Sequence, residues 1–333
     1  MSSISTDNID VSIIIVNWNT RHMTCDCLRS VYEQTQGVSF EVILIDNASY
    51  DDSVATIKKE FSKVKLIANN KNLGFCKATN QGLEVAKGKY LLLLNSDTVV
   101  LENAVEKTIQ FAEKHDRIGI VGCQLIYPDG SFQGSCFRFP GICGSILASF
   151  GLSKLFPKST VFNMERYGNR LWDKPREVDC VMGSFMLIKR QVTDNIGMLD
   201  TDYFMYGEET DFCFRAVKAG WKVFYYPDAK LIHYYGGSKK SYEDAAWAYR
   251  SVYRGIYLFM NKRRSKMTLY VCNLMLVATL FFKSILWVLR DVILSARRRE
   301  FFKPRHSKKI GCLVFHTQAL LNPKLFSMPW SKK

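Results

Sequence analysis

Acidic side chains recur in this chain where apolar runs stop. Ile45 is followed by Asp46, Leu91–Leu94 by Asn95-Ser96-Asp97, and Phe204-Met205-Tyr206 by Gly207-Glu208-Glu209. Each has a structural explanation by itself: Asp46 suits an Asx turn, Asn95 to Asp97 end a strand, and Glu208 and Glu209 are first-turn residues favoured by a helix dipole. Together with His233 they make a set of groups that would hold a hard divalent cation, a nucleotide and a general base. Mg2+ or Mn2+ takes oxygen ligands and accepts diphosphate oxygens beside one or two protein groups. Asp97 would supply a carboxylate and His233 an imidazole, and Gly236-Gly237-Ser238 would allow close approach of a phosphate.

Such a set needs a scaffold that gathers strand ends. Val11 to Val16 is a β-branched run suited to a buried first strand, broken by Asn17-Trp18-Asn19-Thr20 before a helix over Met23 to Tyr32. Phe40 to Ile45 reads as a second strand. Asp51 or Asp52 caps a helix to Phe61, and Val64 to Ile67 is a third strand. Asn70 to Gly74 turns into a helix through Ala86, Gly88 follows, and Leu91 to Leu94 is a strand buried on both faces. Alternation of this kind predicts a Rossmann-like, mostly parallel sheet flanked by helices, which binds ligands at the C-terminal ends of its strands. Beyond it the pattern predicts a helix over Leu101 to His115, a strand over Ile118 to Ile126 and a turn at Tyr127-Pro128-Asp129-Gly130. Phe137 to Lys174 reads as a long excursion over the site. Val178 to Lys189 then forms a strand carrying Gly183-Ser184. A helix runs from the acidic cluster to Ala219, Trp221 to Tyr225 is a short strand, and Tyr242 to Met260 is a helix.

Composition narrows the function classes. The chain has 333 residues and 47% hydrophobic content, enough for a large core and too apolar for a disordered protein. Its net charge of +15 is matched by the tail alone, where Arg254 to the end carries 17 Lys and Arg against 2 Asp and Glu. The remainder is neutral, which argues against a nucleic-acid partner. No Gly-x-Gly-x-x-Gly follows the first strand and no Gly-Lys-Ser/Thr loop occurs, so dinucleotide and P-loop readings lose their support. The 10 cysteines show no Cys-x-x-Cys pair or zinc-ligand spacing, and they fit a reducing cytosol.

The order and spacing of the motifs resemble the family 2 glycosyltransferases of the GT-A fold, over about Val11 to Ser238. The resemblance is strongest to the bacterial branch that builds surface polysaccharides, which includes rhamnosyltransferases. The residues that carry it are Val16-Asn17-Trp18-Asn19, Ile45-Asp46-Asn47-Ala48-Ser49, Asn72-Leu73-Gly74-Phe75, Asn95-Ser96-Asp97, Gly183-Ser184-Phe185-Met186-Leu187, Phe204 to Asp211, and His233 with Gly236 and Ser238. It implies an inverting, metal-dependent enzyme that moves a sugar from a nucleotide-diphosphate donor, dTDP-rhamnose or a UDP-sugar, to a hydroxyl of a growing glycan.

The resemblance also implies roles. Asn17, Asp46, Asn72, Gly74, Ser96, Gly183 and Ser184 would surround the nucleotide-sugar, with Asp46 accepting from the imide N–H of the base. Asp97 and His233 would hold Mg2+ or Mn2+. Glu209 aligns with the general base, while Glu208 would assist or bind the acceptor. The chain departs from the family twice: Asn95 replaces the first aspartate of the Asp-x-Asp motif, and Glu208-Glu209 replaces Glu-Asp. The pair Asp211 and Arg215, four apart on one helix, reads as structural.

Residues 1–10 form a polar leader without a signal-peptide core, 11–240 the GT-A domain, and 241–333 a helical, basic and apolar region. Within that region Leu269 to Leu289 is largely apolar, interrupted by Asn273 and Lys283 and flanked by Lys262-Arg263-Arg264 and Arg297-Arg298-Arg299. This tail predicts attachment to an anionic membrane, lying on the bilayer in preference to spanning it or packing as a plain core helix, at the cytoplasmic face of the inner membrane, with a lipid-linked or oligosaccharide acceptor. Two rival functions remain: a sugar nucleotidyltransferase, and a non-catalytic glycan- or membrane-binding scaffold on the same fold.

Overall fold

Val-Ser-Ile-Ile-Ile-Val-Asn at 11–17 is buried along nearly its whole length, as a strand covered on both faces must be. The computed structural model describes residues 9–167, 169–234, 242–298, 314–318 and 321. It divides into two units, Met1–Phe139 with Arg170–Ala245 and Pro140–Asn169 with Ala246–Lys333.

The first unit begins with β1 (Val11–Asn17), α1 (Arg21–Gln34), β2 (Phe40–Asp46), α2 (Ser53–Glu60), β3 (Lys65–Ala68), α3 (Phe75–Val85) and β4 (Tyr90–Asn95). It continues with β5 (Thr98–Leu101), α4 (Ala104–Glu113), β6 (Ile118–Ile126), β7 (Phe132–Gln133) and β8 (Cys136–Phe137). The chain then contributes α5 (Ile142–Ser149), α6 (Leu152–Leu155) and a short 3-10 turn to the second unit. It returns as β9 (Arg176–Glu177), β10 (Cys180–Val181), β11 (Phe185–Lys189), α7 (Arg190–Ile196), α8 (Glu208–Lys218) and β12 (Lys222–His233). The main sheet has the order β3-β2-β1-β4-β11-β6-β12-β5. β1 pairs in parallel with β2 on one side and β4 on the other. β11 and β5 run against their neighbours. Ile13, Ile15, Leu44, Leu92, Leu94 and Leu187 fill the core between sheet and helices.

Three expected elements differ from the structure, each for a local reason. Leu101 ends β5 instead of starting a helix, because Thr98–Leu101 pairs with His233–Lys230; Glu102 and Asn103 then take positive φ and the helix starts at Ala104. The single strand expected over Val178 to Lys189 is two, since β10 pairs with β8 in a separate ribbon and only β11 joins the main sheet. Conversely, the strand expected to end at Tyr225 runs on to His233, with a register shift between Tyr226 and Lys230 that carries Pro227, which has no N–H to donate. At α2 the choice between the two aspartates falls to Asp51, whose Oδ1 accepts from Ser53 N at 3.3 Å, while Asp52 makes no side-chain cap.

Residues 197–207, which lead into α8, are tied down at several points. Asn80 of α3 donates to Leu199 O (2.9 Å) and accepts from Leu199 N (3.1 Å). Arg215 bonds Asp211 Oδ2 at 2.8 Å and donates to Ile196 O and Met198 O, at 2.7 and 2.8 Å. Asp211 is fully buried, so Arg215 both neutralises a carboxylate inside the protein and satisfies two carbonyls.

In the second unit α9 (Tyr242–Arg263) and α10 (Lys266–Arg298) are long helices, and α10 packs against α5. Burial pushes the His316 imidazole down to about 4, so the ring is neutral and must donate from one nitrogen and accept at the other. Tyr257 O–H donates to Asn273 Oδ1 at 2.8 Å and therefore accepts from His316 Nδ1–H at 2.6 Å, leaving Nε2 to accept from Tyr249 O–H at 3.0 Å.

Replacing Arg215 with methionine is expected to destabilise the protein by about 3 kcal/mol, because the buried Asp211 carboxylate loses its guanidinium. Denaturant unfolding of the two proteins measures this, and a change near zero would show that the pair is not a structural support.

Candidate active site

The strand order reverses beside β1, since β2 and β3 lie on one side of it and β4 on the other. Open α/β sheets leave a crevice at such a point, outside the C-terminal strand ends. The parallel register sets Asn17 opposite Asp46 and Val16 opposite Asn95. Asn17 Nδ2 donates to Asp46 Oδ2 (2.7 Å) and Ser49 Oγ (3.1 Å), and its Oδ1 accepts from Thr20 and Thr24 (2.7 and 2.8 Å). Ser49 N takes the other Asp46 oxygen at 2.9 Å, and the carboxylate is 1% exposed. The expected imide contact would therefore have to use a remaining lone pair of a group already engaged on both oxygens.

Asn47 extends the network, accepting from Leu73 N (3.0 Å) and donating to Asn72 Oδ1 (2.8 Å), which also accepts from Gly74 N at 2.9 Å. Ser96 Oγ joins it through Thr20 at 3.0 Å. Asn17, Asp46, Asn72, Gly74 and Ser96 thus lie in one hydrogen-bonded cluster. Thr20 and Thr24, which complete it, were not assigned from sequence; their i, i+4 spacing at a helix start is the signal that points to them.

Gly74 joins this cluster to the acidic helix. Its φ is +85°, and a Cβ there would stand 2.6 Å from the Phe204 ring and 2.8 Å from Phe204 O. The adjoining Phe75 N donates to Phe204 O at 2.6 Å. Only glycine admits both the backbone conformation and the approach.

Asp97 lies between β4 and β5, beside the end of β12. Tyr234 N donates to its carbonyl at 3.0 Å, and its Oδ1 is 3.4 Å from His233 Nε2. The other ring nitrogen, Nδ1, is 2.7 Å from Gln133 Oε1 and donates to it. In the neutral ring Nε2 then turns a lone pair toward a carboxylate oxygen, and two acceptors at that separation require a proton or a cation. This donor set fits a divalent metal that takes its remaining ligands from a substrate. Among the described residues no group of three or more His, Cys, Asp and Glu could hold a metal by itself. Gln133 carried no sequence signal, because the β6–β7 register, Leu125 opposite Gln133, is what brings it there. Gly236, Gly237 and Ser238 lie outside the described residues.

Gly183 and Ser184 stand between Asn95 and Glu209. Asn95 N donates to Ser184 O at 3.1 Å, and a Cβ on Gly183 would lie 3.8 Å from Glu209 Cβ. Glu208 and Glu209 occupy the first turn of α8 behind Gly207, whose φ is +96°. Glu209 Oε2 accepts from Gly207 N at 3.2 Å, whereas Glu208 Oε2 and Ser184 Oγ are buried without a protein partner. Burial pushes both carboxyls above the ordinary value of 4.5; for Glu208 the rise is large, and the charge of Glu209 adds to it. The rise is larger for Glu208 than for Glu209, so Glu209 is the member of the pair that ionises first. The same carboxylates, after burial, help to push the Cys76 thiol up on the neighbouring α3.

Because the Glu208 carboxyl is raised in the folded state, stability is lost as pH rises from the unfolded toward the folded value. Glu208→Gln removes that loss. Its Tm is expected to exceed that of the unsubstituted protein by a few degrees above neutrality, and to converge with it at pH below the ordinary carboxylate range. Melting curves across pH check this; a pH-independent difference would place the burdened carboxyl elsewhere.

The chain is similar to known glycosyltransferases. The family model described as glycosyl transferase family 2 matches residues 12–197. An N-acetylglucosaminyl-diphospho-decaprenol L-rhamnosyltransferase of Mycobacterium tuberculosis is 27% identical over 237 residues, covering 67% of this chain and 75% of the relative. Among solved structures, a mannosyltransferase from Pyrobaculum calidifontis in complex with GDP-Man and Mn2+ superposes with a TM-score of 0.57 at 14% identity, covering 96% of this chain and 89% of that one. GalNAc-T7 with UDP, GalNAc and Mn2+ gives 0.53 at 18% identity, covering 77% and 51%. These two likenesses bear on the fold. With the family model spanning more than half of the sequence, the chain belongs to glycosyl transferase family 2 and is a glycosyltransferase of the α/β GT-A fold.

Proposed function

We propose that this glycosyltransferase inverts configuration, uses Mg2+ or Mn2+, and moves a sugar from dTDP-rhamnose or a UDP-sugar to a hydroxyl of a lipid-linked surface glycan at the cytoplasmic face of the membrane. The observation that carries the chemistry is the unequal pair on α8, where Glu208 Oε2 is buried without a protein partner while Glu209 Oε2 accepts from Gly207 N and is the less raised of the two. Glu209 takes the proton of the acceptor hydroxyl, whose oxygen attacks the anomeric carbon from the face opposite the diphosphate. The bond between that carbon and the diphosphate oxygen breaks, and the nucleoside diphosphate leaves with the electron pair. Glu208, with its proton, offers an O–H to an acceptor oxygen, which accounts for the lack of a protein partner at Oε2.

The loops holding Asn17, Asp46, Asn72 and Gly74 seat the nucleoside side of the donor, and Ser96, Gly183 and Ser184 adjoin its sugar diphosphate. Asp97 and His233 would hold the metal, which when bound offsets charge on the leaving diphosphate. Support for the metal comes from the facing acceptors of that pair and from the Mn2+ named with both structural relatives. Support for a lipid-linked acceptor and a rhamnosyl donor comes from the mycobacterial relative's name and from the apolar helix α10.

Glu209→Gln is expected to lower kcat by about 10²-fold or more while donor binding persists, and Asp97→Ala to remove metal-dependent turnover. Both are read as nucleoside diphosphate released from a panel of nucleotide-sugars with Mn2+ or Mg2+. Near-normal turnover by Glu209→Gln together with an inactive Glu208→Gln would transfer the base role to Glu208. Release of pyrophosphate in place of nucleoside diphosphate would sink the transfer reaction itself. Since the Glu209 carboxyl is raised, the acid limb of kcat/KM is expected above the ordinary 4.5.

A further inference from the structure

In the second unit α10 is apolar on two faces. One face packs inward through Leu269, Cys272 and Asn273, and Asn273 is fixed by Tyr257. The other presents Tyr270, Leu274, Phe281 and Ile285 at helical spacing, widened by Phe282 and Leu286, which are 65% and 63% exposed. From Tyr270 to Leu286 the stripe is about 24 Å long. The window Lys266–Lys283 has mean hydropathy 1.3, enough by length and composition to cross a membrane, yet the inward face is committed to protein and to a polar network.

Residues 140–169 add a second apolar element to the same unit. α5 packs on α10, and the turn between α5 and α6 reaches the middle of that helix: a Cβ on Gly151 would stand 3.9 Å from Lys283 Nζ. Around this turn Phe150, Leu155 and Phe156 are 61%, 69% and 45% exposed. Phe156 keeps its ring near Phe162, with centroids 4.9 Å apart, but side chains this exposed add little to a core. Their setting is basic: residues 140–169 carry Lys154, Lys158 and Arg166 against Glu165 alone, and 262–283 carry Lys262, Arg263, Arg264, Lys266 and Lys283 with no acidic residue.

We infer that the α5–α6 turn, with Phe150, Leu155 and Phe156, is an insertion wedge that enters the headgroup region of an anionic bilayer beside the exposed stripe of α10, so that α10 lies along the membrane and does not cross it. Apolar side chains enter the acyl boundary while Lys154, Lys158 and Lys283 meet lipid phosphates, the arrangement that holds interfacial helices. The lipid-linked acceptor proposed above gives the wedge its purpose, and to that extent this inference deepens that reading.

The full-length protein is tested by flotation with phosphatidylcholine–phosphatidylglycerol vesicles and with pure phosphatidylcholine vesicles. The triple variant Phe150→Ser, Leu155→Ser, Phe156→Ser is expected to bind the anionic vesicles on the order of tenfold more weakly, with α10 unchanged. Leu155→Trp is expected to add fluorescence that brominated lipid chains quench. Equal flotation of the triple variant, or added fluorescence in Leu155→Trp that those lipids leave unquenched, overturns the wedge. So does a dimer, seen by light scattering, that the triple variant dissociates without change in vesicle binding, since the surface would then serve a second copy. Transfer to a water-soluble acceptor separates the two readings: the triple variant keeps it if only the wedge is lost, whereas absent transfer with intact vesicle binding fails the proposed function alone.

Discussion

β1 is hydrogen-bonded in parallel along both edges, and the strand order turns back around it. That arrangement fixes the rest. A strand buried on both faces tolerates no slip, because one residue of shift would exchange core positions throughout the sheet. The register in turn delivers Asn17, Asp46 and Asn95 to one edge, and every other candidate group reaches that edge through a neighbour of these. Ser184 arrives through Asn95, Glu209 through Gly183, Asn72 through Asn47, and Asp97 by following β4. The site is thus a property of the sheet more than of its loops.

The carboxylates gathered near this edge are treated in different ways, and the differences sort structure from chemistry. Asp211 is buried with a guanidinium at 2.8 Å and supports its helix. Asp46 is buried with neutral donors on both oxygens and organises a loop. Glu208 is buried with one oxygen lacking a protein partner, an arrangement whose cost is avoided only by keeping the proton. A carboxyl so placed contributes little to stability, which is in keeping with the acceptor contact proposed for it. Asp97 Oδ1 stands 3.4 Å from His233 Nε2, a separation at which the two share a proton or a cation.

Most of the alternating sheet was legible in the sequence because its strands are uninterrupted apolar runs ended by polar residues. Ile118–Ile126 and Tyr90–Asn95 leave no competing pattern. The errors fall where tertiary pairing overrides local pattern. Thr98–Leu101 has nothing that separates it from the following helix until β12 is beside it, and Pro227 reads as a strand end because a bulge cannot be seen without its partner strand. Candidate site residues were legible as acidic stations at strand ends. Their partners were not: Thr24, Gln133 and Phe204 are ordinary residues made relevant by register and by backbone approach. Residues 140–169, whose pattern is the least readable, group with the C-terminal helices, and α5 packs on α10.

The contact between Gly74 and Phe204 ties together two loops that sequence keeps far apart. One holds Asn72 in the nucleoside cluster and the other leads through Gly207 to the acid pair. With the Phe75 N to Phe204 O bond at 2.6 Å, neither loop can shift while the other stays. The loop proposed for the donor and the loop proposed to carry the base are therefore coupled as one block. A chimera that borrows donor recognition from another family member would have to bring the residues around Phe204 with it, and lineages that change donor would change the two loops together.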